Sequence, residues 1–90
     1  MWRVDFTKRF LKELSSLPND VQQRAELIVF QELNSTNPFE LGYLEKMTGF
    51  PNKYKIRVGD YRIGMTVDKQ TQTIVCQRIV HRRDIYRVFP

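Results

Sequence analysis

The sequence predicts an α+β fold: a predominantly antiparallel four-stranded sheet with an N-terminal helical hairpin packed on one face, in the order β-α-α-β-β-β. Three observations predict it. Apolar residues recur at helical spacing between Thr7 and Leu33 and alternate with charged ones between Lys53 and Val67. They then run nearly unbroken through Ile74, Val75 and Cys76. The chain has 90 residues, which sets one domain over residues 1–90.

Each element follows from its own residues. Trp2 to Phe6 alternates apolar and polar side chains, the period of a half-buried strand. Thr7 can cap a helix carrying Phe10, Leu11, Leu14 and Leu17 on one side, and Pro18 stops it. Asn19 or Asp20 can cap a second helix over about Val21 to Leu33, ended by the turn formers Asn34 to Pro38. So short a break between two helices predicts a hairpin. Residues 39–52 read as loop, punctuated by Gly42, Gly49 and Pro51. Lys53–Val58 and Tyr61–Val67 are strands joined by the two-residue loop Gly59-Asp60. A polar turn at 68–72 leads to Thr73–Val80, read as a central strand, and the tail from His81 can close in a helical turn.

Hydrophobic residues make up 41% of the chain and charged ones 28%, which supports a small core and argues against disorder. No apolar run approaches the ~20 residues of a membrane span, and the first residues lack the apolar stretch of a signal peptide. Cys76 is the only cysteine, so an internal disulfide is excluded. These features predict a cytoplasmic protein. The net charge is +5, unevenly spread: residues 1–45 carry 5 basic and 7 acidic side chains, residues 46–90 carry 10 and 3. A basic C-terminal half points to a polyanionic partner, nucleic acid above all.

The hairpin register sharpens this. With Gly59-Asp60 as the loop, Val58 faces Tyr61, Arg57 faces Arg62 and Lys55 faces Gly64. Like charges across a ladder destabilise it, and Gly64 leaves the backbone open to close approach. One face would present Lys53, Lys55, Arg57 and Arg62 around a gap, an arrangement suited to phosphates. The bland alternative is a solvated basic face. Histidine is the side chain suited to proton exchange near neutral pH, which makes His81 a candidate acid or base; Arg82 and Arg83 can stabilise developing negative charge, and Tyr86 can donate or accept a proton. Lys53, Arg78 and Arg83 are read as further RNA contacts. RNA supplies its own nucleophile, the 2′-OH, and Asp60, Asp68 and Asp84 are too scattered for a two-metal site, so no metal or cofactor is expected. Cys76, Trp2, Phe6, Phe10 and Phe30 read as core, Glu13 and Glu26 as solvated helix faces.

The stretch Tyr54-Lys55-Ile56-Arg57-Val58-Gly59-Asp60-Tyr61-Arg62-Ile63, followed by Val80-His81-Arg82-Arg83-Asp84-Ile85-Tyr86, resembles the RelE branch of the RelE/ParE toxin superfamily. The resemblance spans essentially the whole chain. It implies the toxin of a type II toxin–antitoxin system, a ribosome-dependent endoribonuclease that cuts mRNA in the A site of the small ribosomal subunit and stops translation. A cognate antitoxin is implied as partner, and the basic surface suits an acidic amphipathic helix. By resemblance, Arg62 and Arg82 clamp the scissile phosphate, and Lys55 with Arg57 activates the nucleophile and stabilises the transition state. Tyr86 stacks on bases or assists proton transfer. Arg57 stands where well-known members carry lysine, and arginine stays protonated, which argues against a general-base role. His81 resembles a histidine of other branches and is a second choice for acid–base work.

Two other readings compete. A ParE-like toxin would inhibit DNA gyrase without nuclease chemistry and would not need the cluster of His81, Arg82 and Tyr86. A plain RNA-binding module would display stacking aromatics on its strands, whereas Tyr54 and Tyr61 fall on the apolar side.

Overall fold

In the computed structural model, which describes residues 2–34 and 37–90, strand β1 covers Arg3–Phe6, helix α1 Lys8–Ser15 and helix α2 Asn19–Leu27. The second helix runs on into a π-helical turn over Ile28–Glu32. A 3₁₀ turn at Pro38–Leu41 precedes strand β2 at Leu44–Lys46. Then come β3 (Lys53–Val58), β4 (Tyr61–Asp68), β5 (Thr73–His81) and a closing helix, α3 (Ile85–Val88).

The sheet has five strands rather than the expected four, in the order β1-β5-β4-β3-β2. It is mixed: β1 runs parallel to β5, with Val4 beside Ile74, and the other pairings are antiparallel. The additional strand, β2, lies in the segment read as loop. Three residues are too few to show an alternation, and glycines with φ of 85° at Gly42 and Gly49 stand on either side. Its strand character comes from pairing with β3, where Leu44 meets Ile56 and Glu45 meets Lys55.

The helices bury Phe10, Leu14, Ala25 and Val29 against Ile56, Ile63, Met65 and Ile74 of the sheet. Thr7 caps α1 as its position predicts. Its Oγ1 accepts from the Phe10 N–H at 3.0 Å, and its hydroxyl donates to the Gln77 carbonyl at 3.1 Å, which fastens the helix start to β5. The start of α2 differs from expectation, because Pro18 holds the cap position with no side-chain bond and Asn19 is already helical. Of the turn expected at 34–38, Ser35 and Thr36 lie outside the described residues. Cys76 is buried, and burial pushes its thiol up to about 12.

Phe30, expected in the core, is 44% exposed and packs edge-on against Phe6, with ring centroids 5.2 Å apart. The π turn explains this, since an extra residue in the turn shifts the side-chain phase of the helix. No helix among the described residues is long and apolar enough to cross a membrane.

The opposite sheet face carries a smaller apolar cluster of Met47, Ile85 and Phe89, flanked by Val80 and Val88. Here the structure corrects the expected gap at Gly64. The glycine is buried under the Phe89 ring, and a Cβ there would lie 2.5 Å from a ring carbon. The missing side chain makes room for the chain's own tail. Gly64→Ala is therefore expected to destabilise the fold by about 1–3 kcal/mol through overpacking. It should also loosen the tail, seen as a lowered melting temperature and faster C-terminal proteolysis. Wild-type stability with a protected tail would contradict this packing.

Candidate RNA-binding and catalytic face

Alternation along β3 and β4 puts Lys53, Lys55, Arg57, Arg62 and Thr66 on the face away from α1 and α2, and the observed register matches the one read from the hairpin: Val58 with Tyr61, Arg57 with Arg62, Lys55 with Gly64. No ion pair among the described residues involves Lys53, Lys55, Arg57 or Arg62. The face therefore keeps its positive field for an external anion.

Each group has a definite position. Lys53 donates to Thr66 Oγ1 at 2.8 Å and lies 5.7 Å from the centre of the Phe89 ring. Lys55 donates to the Tyr86 hydroxyl, which joins the middle of β3 to α3. Arg57 is exposed beyond the last β2–β3 pair, where it lines a groove with Arg24, Glu32 and Tyr43. The Tyr43 hydroxyl donates to Glu32 at 2.6 Å, and its pKa is raised by burial and then by that carboxylate. Arg62 folds back over the hairpin, its Nη1 donating to the carbonyls of Gly59 at 2.8 Å and Tyr61 at 2.9 Å. Arg82 extends the ladder by donating its backbone N–H to the Asp60 carbonyl at 2.8 Å, with its guanidinium 4.0 Å from the Asp60 carboxylate. Arg83 is exposed at the following turn.

The arrangement thus groups Lys55 with Tyr86 in the centre, and Arg57, Arg62 and Arg82 around the Gly59-Asp60 end. Two expected members sit elsewhere. His81 pairs with Tyr61, two positions along from the buried pair Ile63 and Ile79, so its ring lies on the helix side of the sheet. There it meets Tyr61 edge-on at 5.6 Å, and its Nδ1 accepts the Arg83 N–H at 3.2 Å. This separates it from Lys55 and Tyr86.

Arg78, expected as an RNA contact, is instead bound by Glu13 of α1. The carboxylate accepts from Nη2 at 2.7 Å, from Nε at 3.1 Å and from the Ile79 N–H at 3.1 Å. The pairing of β1 ends at Cys76, so β5 has an open edge at this point that the Glu13 carboxylate closes. Hydrogen bonding to Glu13 raises the Arg78 pKa, burial opposing it.

Two residues near Lys55 escape a sequence reading. Glu45 stands directly across from it on β2, and Phe50, 46% exposed, borders the same cleft as Lys55 and Tyr86. Both lie in the segment read as loop, where no alternation could assign them a face. Among the described residues, no three His, Cys, Asp or Glu side chains converge as metal ligands would.

The sequence and the fold that carry this face match known proteins. Residues 4–86 fit the model of the ParE toxin of type II toxin–antitoxin systems. The chain belongs to this toxin family. Toxin RelE3 of Methanocaldococcus jannaschii is 41% identical over 90 residues, an alignment covering 98% of this chain and 99% of the relative. The putative toxin RelE1 of the same organism is 29% identical over 89 residues, covering 96% of each.

Among solved structures, the RelB–RelE antitoxin–toxin complex of Methanococcus jannaschii contains a chain with a TM-score of 0.77 and 38% identity, with 96% of this chain and 99% of that chain covered. The RelBE2 complex of Mycobacterium tuberculosis gives 0.69 at 26% identity, with 90% and 98% covered. The mixed five-stranded sheet is thus the toxin fold, and the chain is a toxin of the RelE kind.

Proposed function

We propose that this toxin is a ribosome-dependent endoribonuclease that cuts mRNA in the A site and halts translation. The observation that carries the reading is the basic face of β3 and β4, whose Lys53, Lys55, Arg57 and Arg62 form no ion pair among the described residues, with Lys55 held at the Tyr86 hydroxyl. In the reaction, the 2′-oxygen bonds to the adjacent phosphorus and gives its proton to a solvent water, which later returns a proton to Tyr86. The bond to the 5′-oxygen breaks, leaving a 2′,3′-cyclic phosphate and a 5′-hydroxyl. Negative charge that builds on the phosphoryl oxygens is met by the guanidinium groups of Arg62 and Arg82, with Arg57 beside them.

Lys55 donates to the Tyr86 oxygen, which leaves the phenolic proton free to pass to the departing 5′-oxygen. Lys53 and Arg83 hold neighbouring phosphates. The partner that neutralises this surface is a cognate antitoxin presenting an acidic amphipathic helix, in keeping with the RelB–RelE assemblies of its relatives. The compact fold and its toxin relatives fit a cytoplasmic site of action.

The test is translation of a defined mRNA with purified toxin and mapping of cuts by primer extension. Cuts confined to ribosome-bound message are expected, with free mRNA intact. Uncut message together with inhibited DNA supercoiling would replace this reading with a gyrase-directed, ParE-like one.

A further inference from the structure

We infer that the cleft between the 47–50 loop and α3 is a nucleobase slot, with Phe50 as a second stacking wall opposite Tyr86; this rests on the RNA-cutting reading and extends it to the choice of nucleotide. The cleft holds about 350 Å³, the lower range for a site enclosing a small ligand. Phe50, Tyr86, Phe89 and Lys55 border it.

Phe50 and Tyr86 are the two most exposed aromatic side chains among the described residues, at 46% and 66%. A single exposed apolar side chain is ordinary, but two aromatic rings bordering one cleft, next to the apolar cluster of Met47, Ile85 and Phe89, make a paired apolar surface that a ligand can cover. The two exposed rings border one cleft with the Lys55 ammonium, which lies 4.6 Å from the centre of the Tyr86 ring, the combination that binds single-stranded nucleic acid: aromatic faces for bases and a cation for the backbone.

The slot adjoins the proposed cutting chemistry directly, since Lys55 borders it while donating to Tyr86. A base seated between Phe50 and Tyr86 belongs to a nucleotide next to the cut bond. Its size and stacking strength then bias which codons are cut. The loop position is set by the backbone rather than by the ring: the Phe50 N–H donates to the Met47 carbonyl at 3.1 Å, and the Phe50 carbonyl accepts from the Lys53 N–H at 3.3 Å. Phe50 can therefore be varied without unmaking the turn.

The experiment compares wild type, Phe50→Ala and Phe50→Tyr on ribosome-bound messages carrying every codon in the A site. Binding of a fluorescent single-stranded oligoribonucleotide to the free proteins is measured in parallel. Phe50→Ala is expected to lower cleavage by about 10- to 100-fold, the range for losing one base–aromatic stack. The loss should be unequal across codons and accompanied by weaker oligonucleotide binding, with Phe50→Tyr restoring both. Equal cleavage by Phe50→Ala, a uniform loss with unchanged codon profile, or no rescue by tyrosine would overturn the slot. A uniform loss would signify contact with the ribosome's own RNA instead. Failure of the wild type to cut defeats the endoribonuclease reading alone; the slot then stands or falls on whether the oligonucleotide binds through Phe50.

Discussion

Arg62→Ala is expected to lower mRNA cleavage by about 100- to 1,000-fold, the range for removing one preorganised donor to developing charge. Growth arrest on induction should disappear with it. The side chain is well placed for that role, because two backbone carbonyls of its own hairpin hold the guanidinium in position before substrate arrives. Nothing about the fold depends on it to the same degree. It is a partly exposed side chain whose strand partner is Arg57, so its removal relieves a like-charge contact while losing two surface hydrogen bonds. Stability should change by no more than about 0.5 kcal/mol. Arg62→Lys should restore little, since an ammonium cannot span two carbonyls and a phosphate as the planar fork does. Primer-extension rates and thermal melts of the three proteins decide the matter. Cleavage by Arg62→Ala at the wild-type rate would remove the arginine from the phosphate site.

The largest stability effect is expected at Glu13, far from the chemistry. Its carboxylate takes three bonds from the Arg78 guanidinium and one from the backbone of Ile79, and both side chains are mostly buried, at 20% and 16% exposed. Glu13→Ala leaves a partly buried guanidinium and a strand N–H without partners. Removing one member of a fully buried pair costs about 3–5 kcal/mol, and the residual exposure here brings the expected loss to about 2–3 kcal/mol. For a domain of this size that lowers the melting temperature by roughly 10–15 °C. The double variant Glu13→Ala/Arg78→Ala should recover part of the loss, because no charge is then left unpaired. Cleavage below the melting range should stay near wild type. A single-variant loss under about 1 kcal/mol would mean the pair is solvated and the edge of β5 closed by something else.

The same residue shows what could be read from the sequence and what could not. Glu13 falls on the polar side of an amphipathic helix, and helical periodicity alone makes it a solvated face. That it meets Arg78 depends on β1 lying parallel to β5 and ending one turn of pleat too soon, a long-range fact without a local signature. The β3–β4 register was legible because a two-residue loop and strict alternation leave one solution. From it came Lys55, Arg57 and Arg62 on one face. The side of the sheet that His81 takes was hard to read for the complementary reason. Proximity in sequence to Arg82 and Arg83 says nothing about which face a strand residue takes, and counting from Ile79 puts it with the core side. Gly64 was recognised as a place of close approach. What approaches it is Phe89, from the last turn of the chain, which no local rule could supply.

The position of β1 has a consequence for when the toxin becomes dangerous. Among the described strands, β1's only partner is β5, so β1 stays unpaired until residues 73–76, some seventy positions later, have been made. Pairings between such distant positions close late and slowly, because the intervening chain must be brought to order first. Tyr86 and Phe89, which complete the face that Lys55 and Gly64 begin, come later still. The basic residues of the β3–β4 hairpin are therefore made well before the segment that finishes their face: the Lys55–Tyr86 bond and the seating of Phe89 over Gly64 await synthesis through residue 89.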